Sequence, residues 1–580
     1  MLSSKALRPG AARTMACVLI ACSGNAAAQS ASSPAGDWQG VLRSEERQTR
    51  SAIHLEQNEP GVLTGDIDLP DTGQWDVPLE KVTYQDGVLA FSYRGGSRSF
   101  EGRWDSAAAA WVGKFRNPAA TFDVAYKAGF LGLPVLAALN GYWEADATIQ
   151  GLRRRFKLRV TTNAHGTYAL MDMPELVQTG LAVVSLGLQG RDVAFAVPAL
   201  GMRFEGKLDR TAGSITGAFD AAGTAVPVEF RRNPSGAPRR TQTPEPPYPY
   251  TVEDVAFANP ASGGAMLGCT LNVPKAPGPH PAAMLLTGSG QQDRDETLVG
   301  HKPFLVLADH LAHNGTAVLR CDDRGVGRST GEYRTATLED FAEDAAAGIA
   351  FLRTRREIAP SKIGLIGHSE GGVVAPMVAN GRANVAFVIL MAAPGVPIDE
   401  LLMMQGEEVA RADGVPEARI AQQRPLRRAV LTAMRDAADP DAARAAVEAL
   451  LVAYGVPPKV ARAQAAQEAS PDILRIIRAD PADAIAEMRV PVLAIVGSKD
   501  RQVPPVQNLP ALREALAGHR DATVRELPGL NHLLQTAETG AMGEYYDIEE
   551  TMAPLALDTI ANWLGERGFT AVDNAGRSRR

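Results

Sequence analysis

Lys362-Ile363-Gly364-Leu365-Ile366-Gly367-His368-Ser369-Glu370-Gly371-Gly372 is a short apolar run that stops at a serine held between glycines. A chain that turns sharply from strand to helix needs this pattern, because a side chain at either glycine of Gly-x-Ser-x-Gly would collide with its neighbours. The run therefore predicts a buried strand through Ile363, Leu365 and Ile366, a helix over Val373 to Ala379, and a nucleophile at Ser369.

A serine hydroxyl is a weak nucleophile near neutral pH and needs a base that a carboxylate orients. On a strand-turn-helix elbow of this kind the order along the chain is Ser, then Asp or Glu, then His. Of the nine histidines only His519 and His532 follow the later strands, and His519 precedes the last of them. His532, in Leu527-Pro528-Gly529-Leu530-Asn531-His532, directly follows that strand and is the expected base. Asp500, in Val496-Gly497-Ser498-Lys499-Asp500, sits at the carboxyl end of the strand Pro491–Val496 and is the expected acid. The oxyanion of a tetrahedral intermediate needs two backbone N–H donors already aimed at it. Glu370, directly after the nucleophile, supplies one, and the loop Thr287-Gly288-Ser289-Gly290-Gln291 supplies the other, from Ser289 or alternatively Gly290.

Around these positions strands alternate with helices, the pattern of a mostly parallel sheet covered on both faces. Thr251–Ala256 and Met266–Val273 read as an opening hairpin, followed by strand Ala282–Leu286, helix Pro303–Asn314, strand Thr316–Cys321, helix Leu338–Thr354, the elbow strand and strand Ala386–Met391. Residues 398–488 are alanine-rich and helical, with Pro440, Pro457, Pro458, Pro471 and Pro481 near helix ends, and are expected to form a cap over the strand tops. Strand Pro491–Val496, helix Gln507–Leu516, strand Ala522–Leu527 and a closing helix from about Met552 to Leu564 complete the domain, 251–568.

Upstream, the prolines of 233–250 mark a stiff linker. Before it, 36–127 and 141–232 read as two copies of one unit. Gly36-Asp37-Trp38 matches Gly141-Tyr142-Trp143 at a shift of 105, and Asp68-Leu69-Pro70 and Phe100-Glu101-Gly102 match Asp172-Met173-Pro174 and Phe204-Glu205-Gly206 at 104. Alternating apolar and polar residues between Gly and Asn/Asp turns predict antiparallel strands with one buried face, closed as small barrels or sandwiches. The tryptophans concentrated there are expected to be core, and the cluster Arg153-Arg154-Arg155-Phe156-Lys157 the solvated face of a strand, with contact to an anionic membrane or substrate as the alternative.

Residues 1–28 carry Lys5, Arg8 and Arg13, an apolar run Met15–Cys22 and an Ala-x-Ala site ending at Ala28, which predicts an export signal and a periplasmic or secreted protein; a lipid anchor at Cys22 is the alternative. With 580 residues, 22% of them charged and a net charge of −7, the chain has no electrostatic footprint for nucleic acid. No cysteine and histidine spacing suggests a metal site, and Cys269 and Cys321 are expected on neighbouring strands as two buried thiols.

On these motifs, residues 251–568 resemble an α/β-hydrolase of the secreted esterase type, with Thr-Gly-Ser-Gly where many relatives have His-Gly. Arg320-Cys321-Asp322-Asp323-Arg324-Gly325-Val326-Gly327-Arg328-Ser329 is similar to that superfamily's Asp-x-Arg-Gly-x-Gly-x-Ser turn. Gly288 to Glu296 resembles more narrowly the bacterial carboxylesterases that carry a lipocalin-like N-terminal module, though two copies stand here. The resemblance implies an α/β-hydrolase fold with a helical cap, hydrolysis of a small-molecule ester through an acyl-enzyme on Ser369, and no metal or organic cofactor. Asp322, Asp323, Arg324, Asp293 and Arg294 are read as pinning their own loops. One alternative is an aminopeptidase or dipeptidyl-peptidase-like amide hydrolase in which Glu407 or Glu408 captures the amine. Another is a ligand-binding protein with a vestigial hydrolase domain.

Overall fold

In a computed structural model of the chain, the described residues are 34–570 apart from 44–47, 60, 73, 94–97, 118, 119, 150, 164, 165, 222 and 382. The export signal and the Cys22 anchor lie outside them. No described helix is long and apolar enough to cross a membrane.

The two N-terminal copies are antiparallel sheets of the same plan, one closed and one open. In the second, strands spanning Gly141 to Arg232 form a closed barrel of eight, whose interior is filled by Trp143, Phe156, Phe195, Phe204, Phe219 and Phe230. Rings at centroid distances of 4.8 to 6.3 Å leave a packed core and not a cup. The 12-residue strand Gln178–Gln189 closes that barrel by pairing on both edges. Its counterpart in the first copy is broken into Gln74–Pro78 and Glu80–Gln85, and the nine-stranded sheet stays open there. Pro78 has no N–H to give a ladder, which explains a strand end at this position.

Trp38 and Trp143 hold corresponding places, each buried and donating from Nε1 to a carbonyl four residues upstream, Pro34 and Leu139. The basic cluster is not simply a solvated face. Arg155 reaches Glu175, Asp547 and the Gly543 carbonyl, and Arg154 pairs with Asp413 at 3.2 Å, because this outer barrel surface is docked against the C-terminal domain. The proline-rich linker lies along the same junction: Arg240 donates to the carbonyls of Ile548, Val299 and Tyr546.

The C-terminal sheet has eight strands: β1 (Tyr250–Asn259), β2 (Ala265–Pro274), β3 (His280–Leu286), β4 (Ala317–Cys321), β5 (Ile358–His368), β6 (Val388–Met391), β7 (Val492–Gly497) and β8 (Ala522–Leu527). Their order is β1-β2-β4-β3-β5-β6-β7-β8, with β2 antiparallel to both of its neighbours, β1 and β4, and the remaining pairs parallel. Helices α1 (Pro303–His313), α2 (Leu338–Thr354) and α3 (Gly371–Asn380) connect the parallel strands. A capping box between Thr337 and Asp340 fixes the start of α2. Between β6 and β7 the helices α4 (Ile398–Ala412), α5 (Glu417–Asp436), α6 (Pro440–Ala453), α7 (Pro458–Glu468), α8 (Pro471–Ile476) and α9 (Pro481–Glu487) form the cap, four of them opened by proline at the first helical position. The strands β3, β4, β6 and β7, and β5 from Ile363 onward, are apolar almost throughout, as strands covered on both faces must be.

Cys269 and Cys321 are joined as a disulfide, which corrects the expectation of two thiols. They are directly opposed on the antiparallel strands β2 and β4, and their Cα atoms are 4.0 Å apart, close enough for the sulfurs to meet.

Candidate active site

Ser369 follows β5 and has φ 52°, a left-handed backbone that is uncommon for a residue with a side chain. Two glycines make this turn feasible. A Cβ on Gly367 would stand 2.2 Å from the Gly371 carbonyl oxygen, and one on Gly371 would stand 2.2 Å from that of Leu286. The Ser369 N–H donates to the Met391 carbonyl at 3.0 Å, which ties the turn to β6.

His532 lies on the loop after β8 and Asp500 on the loop after β7. The His532 Nδ1–H donates to Asp500 Oδ2 at 2.9 Å, leaving Nε2 as the basic nitrogen. The other Asp500 oxygen accepts the N–H groups of Gln502 and Val503, both at 2.8 Å, so the carboxylate is fixed in a buried position. Ser369, His532, Ser289 and Glu370 all line one cavity of about 370 Å³ under the cap. The Gly288 N–H is already committed to Glu296 Oε1 at 2.7 Å, whereas Ser289, one residue on, is exposed to the cavity.

Behind the elbow lies a buried pair that the sequence did not single out. His368 Nδ1–H donates to Glu296 Oε1 at 2.8 Å, and its Nε2–H donates to the His532 carbonyl at 3.0 Å. Both ring nitrogens face acceptors, which is the hydrogen-bonding pattern of an imidazolium. Burial opposes that charge, but the Glu296 carboxylate outweighs it and raises the His368 pKa. One ion pair thus holds the loops that carry Gly288, Ser369 and His532. Arg475, on α8 of the cap, lies 3.2 Å from Glu370 Oε1 and over the rings of Tyr333 and Phe341, pinning the cap to the elbow. Burial pushes the Glu370 pKa up against the pull of this guanidinium.

The loop charges expected to pin their own segments do so. Arg294 pairs with Asp322 at 2.6 Å, Arg324 with Asp344 at 2.7 Å, and Asp323 accepts from Thr287 Oγ1 and the Gln292 N–H. Burial pushes the Asp323 pKa up to about 8. Glu407 and Glu408 do not line the cavity of Ser369; they pair with Arg424, and with Arg411 and Arg501.

Residues 302–539 match the model of the Hydrolase_4 family, described as serine aminopeptidase, S33. The C-terminal part has the α/β-hydrolase fold. The chain is similar to the esterase EstD of Thermotoga maritima, with 26% identity over 297 residues, 51% of this chain and 64% of that protein. The chain thus aligns with somewhat less than two thirds of that curated relative. Similar solved structures include a Pyrococcus furiosus esterase, Pf2001, at 15% identity, covering 55% of this chain and 91% of that one, with a TM-score of 0.33. Another is Est1E from Butyrivibrio proteoclasticus with ferulic acid bound, at 16% identity, covering 54% and 98%, with a TM-score of 0.33.

Proposed function

We propose that the protein hydrolyses carboxylic esters by two-step acyl transfer. Ser369 Oγ attacks the ester carbonyl while His532 Nε2 takes its proton, and Asp500 holds the imidazole orientation and stabilises its charged form. The N–H groups of Ser289 and Glu370 bind the oxyanion, His532 returns the proton to the departing alcohol, and water activated by the same base releases the acid. The observation that carries this reading is the turn at Ser369, φ 52°, opening into the same cavity as a histidine held at 2.9 Å by a buried aspartate. The lining suits an apolar acyl or alkyl chain, since Ile398, Leu401, Leu402, Ile473 and Ile476 of the cap line the same cavity as Ser369.

The family description names aminopeptidases, so an amide substrate is the second reading. It requires a carboxylate free to capture an amine. Among the described residues the carboxylates lining the cavity are Glu296 and Glu370, and each already faces a cation, His368 and Arg475.

The test is turnover of p-nitrophenyl esters of graded chain length beside aminoacyl p-nitroanilides. Ester turnover should fall by on the order of 10⁶ in Ser369→Ala and somewhat less in Asp500→Ala, by comparison with other serine triads. A Ser369→Ala protein keeping more than about a tenth of the activity would overturn the nucleophile assignment.

A further inference from the structure

The cavity around Ser369 is not closed by the hydrolase domain alone. Leu176 and Val177, from the turn between the third and fourth strands of the second β module, stand in its lining. Val177 belongs to a small apolar cluster with Leu298, Leu533, Met542 and Tyr545, and Leu533 is the residue next to His532. Two features mark this turn as more than a chance contact.

The first is its backbone. Val177 has φ 53° and ψ 34°, a left-handed conformation that a β-branched side chain rarely adopts. In the sequence of the first copy the corresponding position is Gly73, the residue type that such a conformation favours. A bulky side chain therefore stands at a strained position, and it lines the cavity together with Leu176.

The second is its anchoring. The Arg155 N–H donates to Glu175 Oε2 at 2.9 Å, and its guanidinium donates to Glu175 and, at 2.7 Å, to the Gly543 carbonyl. One residue thus holds Glu175, directly before Leu176, and Gly543, directly after Met542. Beneath it, the Tyr546 hydroxyl donates to the buried Asp172 at 2.8 Å and lies 3.0 Å from the Tyr142 hydroxyl, so the wall is fastened by a fully buried polar network as well.

We propose that the second β module is part of the substrate site: Leu176 and Val177 form one wall of the cavity and set the length of the apolar chain it accepts, with Arg155 as the residue that positions the wall. This rests on Ser369 being the acyl-accepting nucleophile.

The test uses the full chain and 4-nitrophenyl alkylphosphonates with ethyl and octyl chains, which label an active serine whether its substrate is an ester or an amide. The readout is the ratio of labelling rate constants, octyl over ethyl. In Leu176→Ala/Val177→Gly the ratio should rise by about tenfold or more, the scale of one methylene in an apolar pocket. Leu176→Phe, which thickens the wall, should lower it. Glycine at 177 fits the left-handed backbone, so the double variant should melt with the parent protein. Labelling of the parent with a ratio unmoved in all variants, or moved in the same direction by both, overturns the wall alone. Absence of labelling in the parent overturns the nucleophile, and the wall with it.

Discussion

The two β modules carry one polar cluster in register and use it differently. In the second, Arg155 with Glu175 and Arg159 with Asp172 sit on the surface that meets the hydrolase domain. In the first, the same places hold Arg50 with Asp71 and His54 with Asp68. There the turn Pro70–Thr72 packs on strand Gln178–Gln189 of the second module, and Trp75 stacks on Tyr168 with ring centroids 3.9 Å apart. The modules are docked head to tail, each through its turn after the third strand, onto the next unit of the chain. What differs is what lies beneath: another β surface for the first, and a stretch one to fifteen residues beyond His532 for the second. Equivalent substitutions should therefore separate stability from turnover.

Removing the core tryptophans is the harshest comparison. Trp38→Ala and Trp143→Ala should each destabilise their own module by about 3–5 kcal/mol, as expected for large aromatic residues deleted from a packed core. Ester turnover should suffer from the second and be spared by the first, so equal losses of activity would break the contrast. Next comes the clamp. Arg155→Ala should lower kcat/KM by about 10- to 100-fold through misplacement of the cavity wall, whereas Arg50→Ala should change it by less than about twofold. Parallel unfolding curves would separate this from a general loss of structure.

The smallest effect distinguishes the first module alone. Burial would depress the His54 pKa, but hydrogen bonds with Asp68 and Asp37 outweigh it and push the value from 6.5 up to about 9. A pKa raised on folding contributes stability that is complete below about 6.5 and is lost as the pH climbs through about 9. Tryptophan fluorescence, which reports mainly on Trp38, Trp75, Trp104 and Trp111 of this module, should show its unfolding midpoint falling between pH 7 and 10. His54→Gln should flatten that dependence, while Arg159, the matching residue of the second module, supplies no such titration in this range.

The positions of Ser369, Asp500, His532 and Ser289 were legible because each lies on a loop directly after a parallel strand, and apolar runs disclose such strands in a sequence. Chain order alone then separated His532 from His519. The disulfide was not read, since neighbouring strands say nothing of whether two cysteines are directly opposed. Arg475, Leu176, Val177 and the interface role of Arg155 were hidden for another reason: they reach the site from other units, and no periodicity within a strand or helix encodes how units dock. One clue was available. Arg155 and Glu175 repeat Arg50 and Asp71 at shifts of 105 and 104, so a charge pair kept across both copies pointed to a shared fastening on that surface.

The head-to-tail order also has a consequence for the birth of the protein. Domains made first on the ribosome fold first. The barrel with its Val177 turn precedes the elbow in the chain, while His532 and Tyr545 follow the elbow by more than 150 residues. A nascent chain holds Ser369 for more than 150 residues of elongation before His532, its proposed base, is made. On the proposed mechanism, competence waits until the loops around His532 and Tyr545 settle onto a barrel surface made before them.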